Sequence, residues 1–217
     1  MPVNIDHSFS VYHLIERIQK HSDVISQRKT MNIISYEIEN ATLKDGERTR
    51  IFSGFQRMSK FLPQVNRYRQ MAKTAESIYV FGIPDIQPPQ IENIHYINLE
   101  PTDQLSKEWF IVSYGESYSS TLATEELSHI DMPDSQRQFK GIWTFNVTLT
   151  AILEGWLTRT VDAPPLMIDE ERHNFMRHKQ VIRNTMQRLD NRSLRKQDIV
   201  LKTLVEGELD IIVGRHQ

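Results

Sequence analysis

Residues 105–126 read LSKEWFIVSYGESYSSTLATEE, and the reading of this stretch decides the fold. Its first half carries Trp109, Phe110, Ile111, Val112 and Tyr114, the aromatic and β-branched residues that suit a pleated strand. Its second half, 118–126, continues with Tyr118, Thr121, Leu122 and Thr124. Gly115–Glu116 supplies the turn between them, so the two halves pair as an antiparallel hairpin.

Upstream, strands and helices alternate. RIFSGF (50–55), SIYVFGI (77–83) and HYINL (95–99) read as strands. Helical spacing appears over 8–20 (Val11, Leu14, Ile15, Ile18), with Ser8 or Ser10 able to cap, and over 29–43 (Ile33, Ile34, Ile38, Ala41). The turn KDGER (44–48) follows the second. A third helix is expected over 57–74, where Pro63 demands either a kink or a fresh start. PDIQPPQ (84–90) is a rigid loop by its three prolines. Downstream, RQFKGIWTF (137–145) is the last strand and 147–160 a helix. Alternation followed by a hairpin predicts an α/β protein: a mixed central β-sheet with packed helices.

Odd positions of RQFKGIWTF share one strand face, which gives a row of Phe139, Trp143 and Phe145 interrupted by Gly141. The gap either receives a neighbouring group or admits a ligand, and the sequence leaves both open.

After Ala163–Pro164–Pro165 comes a C-terminal amphipathic helical extension. Ile168, Phe175, Ile182 and Leu189 are seven apart, Met186 lies on the same stripe, and Asp169, Glu170 and Glu171 stand where a helix dipole favours acids. This spacing permits a coiled-coil partner. A short helix near 195–206 and a strand-like 208–214 are expected beyond it. The organisation is thus 1–52 (helices and first strand), 53–167 (core) and 168–217 (basic helix and tail).

Across 217 residues, 39% are hydrophobic and 25% charged, as in a globular protein. No apolar run approaches the roughly 20 residues of a membrane span, so no membrane insertion is expected. The N-terminus lacks a secretory pattern, which makes the cytoplasm the expected location. The absence of cysteine excludes disulfides, thiolate metal sites and cysteine nucleophiles. The net charge of −2 conceals a segregation: from Arg172 to Lys196 there are eight Lys/Arg and one acid. Arg172, Lys179 and Arg183 line one flank of the expected helix. Such a surface suits docking on the acidic remainder, on a second subunit or on another protein. A nucleic-acid contact through 172–196 is the weaker reading, because no recognition motif accompanies the charge.

No catalytic set emerges. Phosphate-binding glycine motifs and the GxSxG elbow are absent. His173 and His178, five apart, fall about 140° apart on a helix and read as exposed rather than as a metal pair. Asp85 reads as a turn aspartate. Glu108, Glu125 and Glu126 lie in or near apolar strands, where a buried carboxylate needs a cation, and Arg57, Arg67, Arg69 and Arg137 are available. No metal and no cofactor is expected.

The ordered motifs GFQR (54–57), NRYRQMA (66–72), IYVFGIPD (78–85), LSKEWFIV (105–112), YSSTLATEE (118–126) and RQFKGIWTF resemble, over about 53–167, the DICT sensory domain of cyanobacterial-type signalling proteins. The resemblance marks Gln56, Arg57, Arg67, Tyr68, Glu108, Trp109, Glu126, Arg137, Phe139, Gly141, Trp143, Thr144 and Phe145. All but Gln56, Arg57 and Thr144 are taken as candidate ligand-binding residues. Thr121 and Thr124 stand where members often carry cysteine. The resemblance implies a cytoplasmic sensory or regulatory role without catalysis. No cyclase or kinase output domain follows in this sequence, so output is expected through a signalling partner or a homodimer. Arg172, Phe175, Lys179, Ile182, Arg183, Met186 and Leu189 are the candidate partner face. The competing expectations are a scaffold or adaptor without a ligand pocket, and an enzyme with an unfamiliar site.

Overall fold

The structure is a computed structural model and describes residues 5–18, 28–128, 131–133, 136–168 and 173–191. Helix α1 (Val11–Ile18) is capped by Ser10, whose Oγ accepts the His13 N–H at 2.9 Å. Helix α2 (Arg28–Leu43) ends in the KDGER turn, where Gly46 has φ +75°, a conformation glycine adopts without steric cost. Strand β1 (Thr49–Arg57) follows. Pro63 then has the effect its chemistry requires. The expected 57–74 helix is divided into α3 (Met58–Phe61), a 3-10 turn at Leu62–Gln64 and α4 (Val65–Met71).

Strands β2 (Ser77–Ile83), β3 (Ile94–Asn98), β4 (Glu108–Gly115), β5 (Ser119–Glu126) and β6 (Phe139–Thr144) complete a six-stranded mixed sheet of order β3-β2-β1-β4-β5-β6. β1, β2 and β3 run parallel, and β4, β5 and β6 are antiparallel to their neighbours. The hairpin forms as expected, with Tyr114 opposite Ser119. Helix α5 (Val147–Thr160) is capped by Asn146, whose side chain accepts the Leu149 N–H at 3.0 Å.

Alternation along each strand sends side chains to two cores. One face, with Ile51, Ile78, Val80, Ile111, Leu122 and Trp143, packs under α2, α3, α4 and the last helix. The other, with Phe52, Phe81, Phe110, Val112, Ala123 and Ile142, packs against α1 and α5. The result is three layers. A buried Arg50–Glu154 pair at 3.0 Å, with Thr158 also accepting from Arg50, ties β1 to α5.

Helix α6 (Phe175–Asp190) differs from expectation in three ways. It starts at Phe175, capped by Asn174, and not near Ile168. Its heptad stripe is not an open partner face. Ile182 and Leu189 are buried in the chain's own core, Met186 packs beside them and Phe175 is half-buried. The stripe is apolar because it covers the sheet and α2. His173 and His178 are buried rather than exposed. Helical angles do not govern their relation, because His173 precedes the helix. His178 Nδ1 accepts the Ser119 N–H at 3.3 Å and Nε2 donates to the Phe145 carbonyl at 3.1 Å. Burial lowers the pKa of His173 to about 4 and of His178 to about 3.

Two arginines of the helix, neither on the flank expected from the sequence, dock on the acidic body. Arg177 meets Glu47 at 2.6 Å, and Arg188 meets Glu37 at 2.6 Å and Asp45 at 2.9 Å. Lys179 is half-buried and Arg183 exposed. Arg172 and the segments expected at 195–206 and 208–214 lie outside the described residues.

Candidate functional site

A cavity of about 160 Å³ opens between α2, the α3–α4 corner and the faces of β1 and β4. Helix α2 contributes Arg28, Asn32, Ser35, Tyr36 and Glu39; the corner contributes Lys60, Pro63 and Gln64. The sheet supplies Ser53 to Gln56 and Trp109 to Ile111, and Arg137 closes one side. The proline-broken corner positions this space, because a continuous helix from 58 to 71 would run past the sheet without turning. The walls carry both flat apolar surface and convergent polar groups, the combination expected of a ligand pocket.

Several wall contacts fix its shape. Trp109 Nε1 donates to Ser35 Oγ at 3.2 Å, holding the indole to α2. The Arg28 guanidinium lies 5.9 Å from the Trp109 ring centroid, within cation–π range. Gln64 donates to Tyr36 Oη at 3.2 Å, and the Arg67 guanidinium sits 4.7 Å from the Tyr36 ring centroid. Burial raises the pKa of Glu39, and its ion pair with Arg67 offsets part of that rise.

Gln56 is the strained residue of the wall. The β1–β2 register shifts between Gly54 and Arg57, and Gln56 has φ +64°. That backbone is disfavoured for a residue with a side chain and persists only where surroundings enforce it. Here Arg137 Nη2 donates to Gln56 Oε1 at 2.6 Å, and Gln56 Nε2 donates to Glu126 Oε2 at 2.8 Å. Arg137 also grips Glu126 through Nε (2.7 Å) and Nη2 (2.6 Å), a bidentate pair with both side chains about 2–3% exposed. Burial opposes ionisation of Glu126, yet its bonds from Arg137, Gln56 and Ser128 prevail and hold its pKa below the ordinary value.

Of the ten candidate ligand residues, the structure brings Trp109 and Arg137 to this cavity. Arg67 stands behind it, on Glu39. Tyr68 donates to Ser53 Oγ at 2.8 Å from the core, where burial raises its pKa well above the usual value. Glu126 lies one bond away through Gln56. Phe139, Trp143 and Phe145 are core residues, and Trp143 Nε1 donates to Ser120 Oγ at 3.1 Å.

Glu108 points to the opposite face and has no cationic partner among the described residues. It accepts from Ser10 Oγ (2.5 Å) and from the Val11 and Tyr12 amides (3.0 and 3.2 Å), so it holds the start of α1. The expectation of a cation partner holds for Glu126 and fails for Glu108, because helix N–H groups supply the donors instead.

The gap at Gly141 is closed by the protein itself. A Cβ there would lie 2.6 Å from Thr124 Cγ2 and 3.3 Å from the Ala123 carbonyl oxygen. Thr124 pairs with Gly141 on one side and Trp109 on the other, and its Oγ1 donates to the Trp109 carbonyl at 2.8 Å. The glycine thus makes room for the threonine beside the cavity's indole. Gly141→Leu is expected to overpack this row and to cost about 1–3 kcal/mol in urea melts. Ligand capture by the cavity is expected to survive in the folded fraction.

Asn32, Ser35, Tyr36, Glu39 and Gln64 were missed by sequence reasoning. Arg28, Asn32, Ser35 and Glu39 do recur at helical spacing, but a polar stripe reads first as a solvated face. Ser35 and Glu39 are in fact buried. Among the described residues, no group of three or more His, Cys, Asp or Glu is placed to hold a metal, and no helix is long and apolar enough to cross a membrane.

Comparison with solved structures finds a polyphosphate kinase from Porphyromonas gingivalis, similar at 16% identity and a TM-score of 0.36. The overlap covers 66% of this chain and 25% of the kinase chain. A likeness at that level carries no argument about function. No curated protein matches the sequence. The family model for DICT, a sensory domain in diguanylate cyclases and two-component systems, matches residues 8–127. That span runs from just before α1 to the end of β5. It begins well before the motifs at 53–126 and stops short of RQFKGIWTF. It takes in α2, the broken corner, β1 and β4, which build most of the cavity wall. The match extends over more than half of the 217 residues, and the chain belongs to the DICT sensory-domain family.

Proposed function

We propose that this protein is a non-catalytic signalling regulator that takes a small molecule into the cavity beneath α2 and acts through contact with another protein. The observation that carries this reading is the cavity itself. It has mixed apolar and polar walls, it lies within a sensory-family match, and its wall includes a strained residue locked into a buried ion-pair network. Cytoplasmic operation and the absence of catalysis belong to the same proposal. Helix α6 gives a route for output: it packs on the same core as α2 and is held to that body by Arg177 and Arg188.

The adaptor reading draws its support from the closed gap at Gly141, which removes a pocket from the aromatic row. A nucleic-acid role through the basic helix is weakened, because Arg177 and Arg188 are committed to Glu47, Glu37 and Asp45.

Native mass spectrometry of the purified protein, after incubation with cell extract, tests the sensing reading. Retention of a small molecule by the wild type and its loss in Asn32→Phe are expected. Asn32 lies on the cavity wall, half-buried, so filling that space is expected to change melting by no more than about 0.5 kcal/mol. Retention by neither protein, or equally by both, would refute the assignment of the cavity.

A further inference from the structure

Resting on the sensing reading, we infer that the cavity is coupled to helix α6 by a hydrogen-bonded relay through Arg67, Asn40 and Glu37, so that a change at the cavity wall alters how firmly α6 is held. The relay starts on the wall at Glu39, whose carboxylate accepts from Arg67 Nε. Arg67 Nη2 donates to Asn40 Oδ1 at 3.0 Å and to the Tyr36 carbonyl at 2.9 Å. Asn40 Nδ2 donates onward to Glu37 Oε2 at 3.3 Å. That same oxygen accepts from Arg188 Nε of α6 at 2.6 Å. Side chains thus join the wall to α6 without a break.

Helix geometry lets α2 serve both ends. At about 100° per residue, Asn32, Ser35, Tyr36 and Glu39 fall within one arc of about 100°, and all four line the cavity. Asn40 lies about 40° beyond Tyr36, and Glu37 about 60° further round. Asn40 therefore stands between the cavity face and the α6 face. Glu37, Glu39 and Asn40 are 1%, 3% and 4% exposed, so water does not readily replace a lost partner.

The amide gives the relay its direction. Oδ1 can only accept and Nδ2 can only donate. Arg67 on one side and the Glu37 carboxylate on the other fix a single orientation of Asn40. When Glu39 is drawn from Arg67, the guanidinium is left with a charge to match. Glu37 is the carboxylate to which Asn40 links it, and there Arg67 competes with Arg188. Arg188 keeps Asp45 at 2.9 Å, and Arg177 keeps Glu47 at the other end of the helix. The last half of α6 is the part that loosens.

Hydrogen exchange of the full chain, read over 175–190 with no ligand added, tests the relay in a cycle of wild type, Glu39→Gln, Asn40→Leu and the double variant. Glu39→Gln keeps the shape of the wall and removes the charge that holds Arg67. The Arg67 side chain is 25% exposed and stays in contact with water, so this variant is expected to fold. It is expected to speed exchange in the last half of α6 by about tenfold, the scale of one hydrogen bond to a charged group. In the Asn40→Leu background the same substitution is expected to change that rate by less than about twofold. Helix α5, across the sheet, is expected to keep its rate throughout. Should Asn40→Leu not fold, Asn40→Ala closes the same cycle with no added volume.

Equal acceleration with and without Asn40 would overturn the relay, since α2 would then act through packing. Unchanged α6 exchange in Glu39→Gln, where Arg188→Met speeds it in the same assay, would overturn it as well, and so would acceleration shared by α5. The cycle contains no ligand, so its failure leaves the sensing reading to native mass spectrometry, and failure there leaves the relay to the cycle.

Discussion

Arg137→Met is expected to destabilise the protein by about 3–5 kcal/mol, the cost of leaving a buried charge uncompensated. The side chain of Glu126 is 3% exposed, and Arg137 supplies two of its bonds. Methionine follows the arginine stem but offers no donor, so among the described residues Glu126 keeps Gln56 and Ser128. Its pKa, held low in the wild type, is then expected to rise, because burial is no longer opposed by a cation. The sign of the pH dependence follows. In the wild type a depressed carboxylate pKa adds stability that is present above the unfolded value, near 4.5, and lost as pH falls through the lower folded value. In Arg137→Met this acid-side loss is expected to vanish or reverse. Urea melts at pH 3.5 and pH 7 give both readouts. The double variant Glu126→Gln, Arg137→Met separates ion-pair energy from packing: it is expected to recover at least half the loss, because no uncompensated charge remains. If it is no better than the single variant, Arg137 acts through packing and not through charge.

The same network bears on the cavity. Gln56 holds φ +64° while bonded to both members of the ion pair. Releasing Arg137 frees Gln56 to relax, and the wall it forms moves with it. Loss of ligand capture in Arg137→Met at a temperature where the variant remains folded is the corresponding functional outcome.

What the sequence disclosed depended on how local the cause was. The hairpin at 105–126, the strand SIYVFGI and the helix at 147–160 follow from side-chain alternation and turn chemistry within a few residues, and all appear where expected. Pro63 forced a choice that its missing N–H made visible in the sequence. The α6 stripe was visible too, but not what it covers. A heptad pattern reports an apolar face and is silent on whether a second chain or the chain's own sheet lies beneath it. His178 was misread because its burial depends on Tyr118, Phe145 and Ser119, all distant in sequence, and His173 because it packs on His178 and Phe175 at the buried start of the helix.

The site was legible in pieces. Trp109 and Arg137 stood out as residues of the family pattern, and Glu126 with Arg137 as an acid and a base awaiting a partner. The α2 contribution was hidden, because Asn32, Ser35 and Glu39 have the composition of a solvent face. They turn inward where the proline-broken corner leaves a space, and no local rule gives the position of that corner relative to α2. Gly141 shows the reverse case. The gap was evident from one strand, but Thr124, which closes it, belongs to the neighbouring strand.

Glu108→Gln is expected to raise stability at neutral and alkaline pH, and here two opposing effects meet in one carboxylate. Three donors from the start of α1 favour its ionised form, while burial disfavours it. Burial prevails and brings the pKa up to about 8 from an ordinary 4.5. Coulombic repulsion from Glu125, directly across the hairpin, adds to the rise. A raised folded-state pKa gives stability that is fully present below the unfolded value and is lost as pH rises through the folded one. The wild type should therefore weaken between about pH 4.5 and pH 8, by on the order of 3–5 kcal/mol from this residue alone. Glutamine preserves the shape and can accept from the two helix amides, while its Nε2 donates to Ser10 Oγ. Having no charge to desolvate, it removes the slope. Thermal melts of the two proteins at pH 5 and pH 8 should converge at the lower pH and separate at the higher one, with the variant above. Should the variant fall below the wild type at pH 8, the helix N-terminus and its three donors hold the carboxylate more strongly than burial opposes it, and α1 is secured by a charge and not by a shared proton.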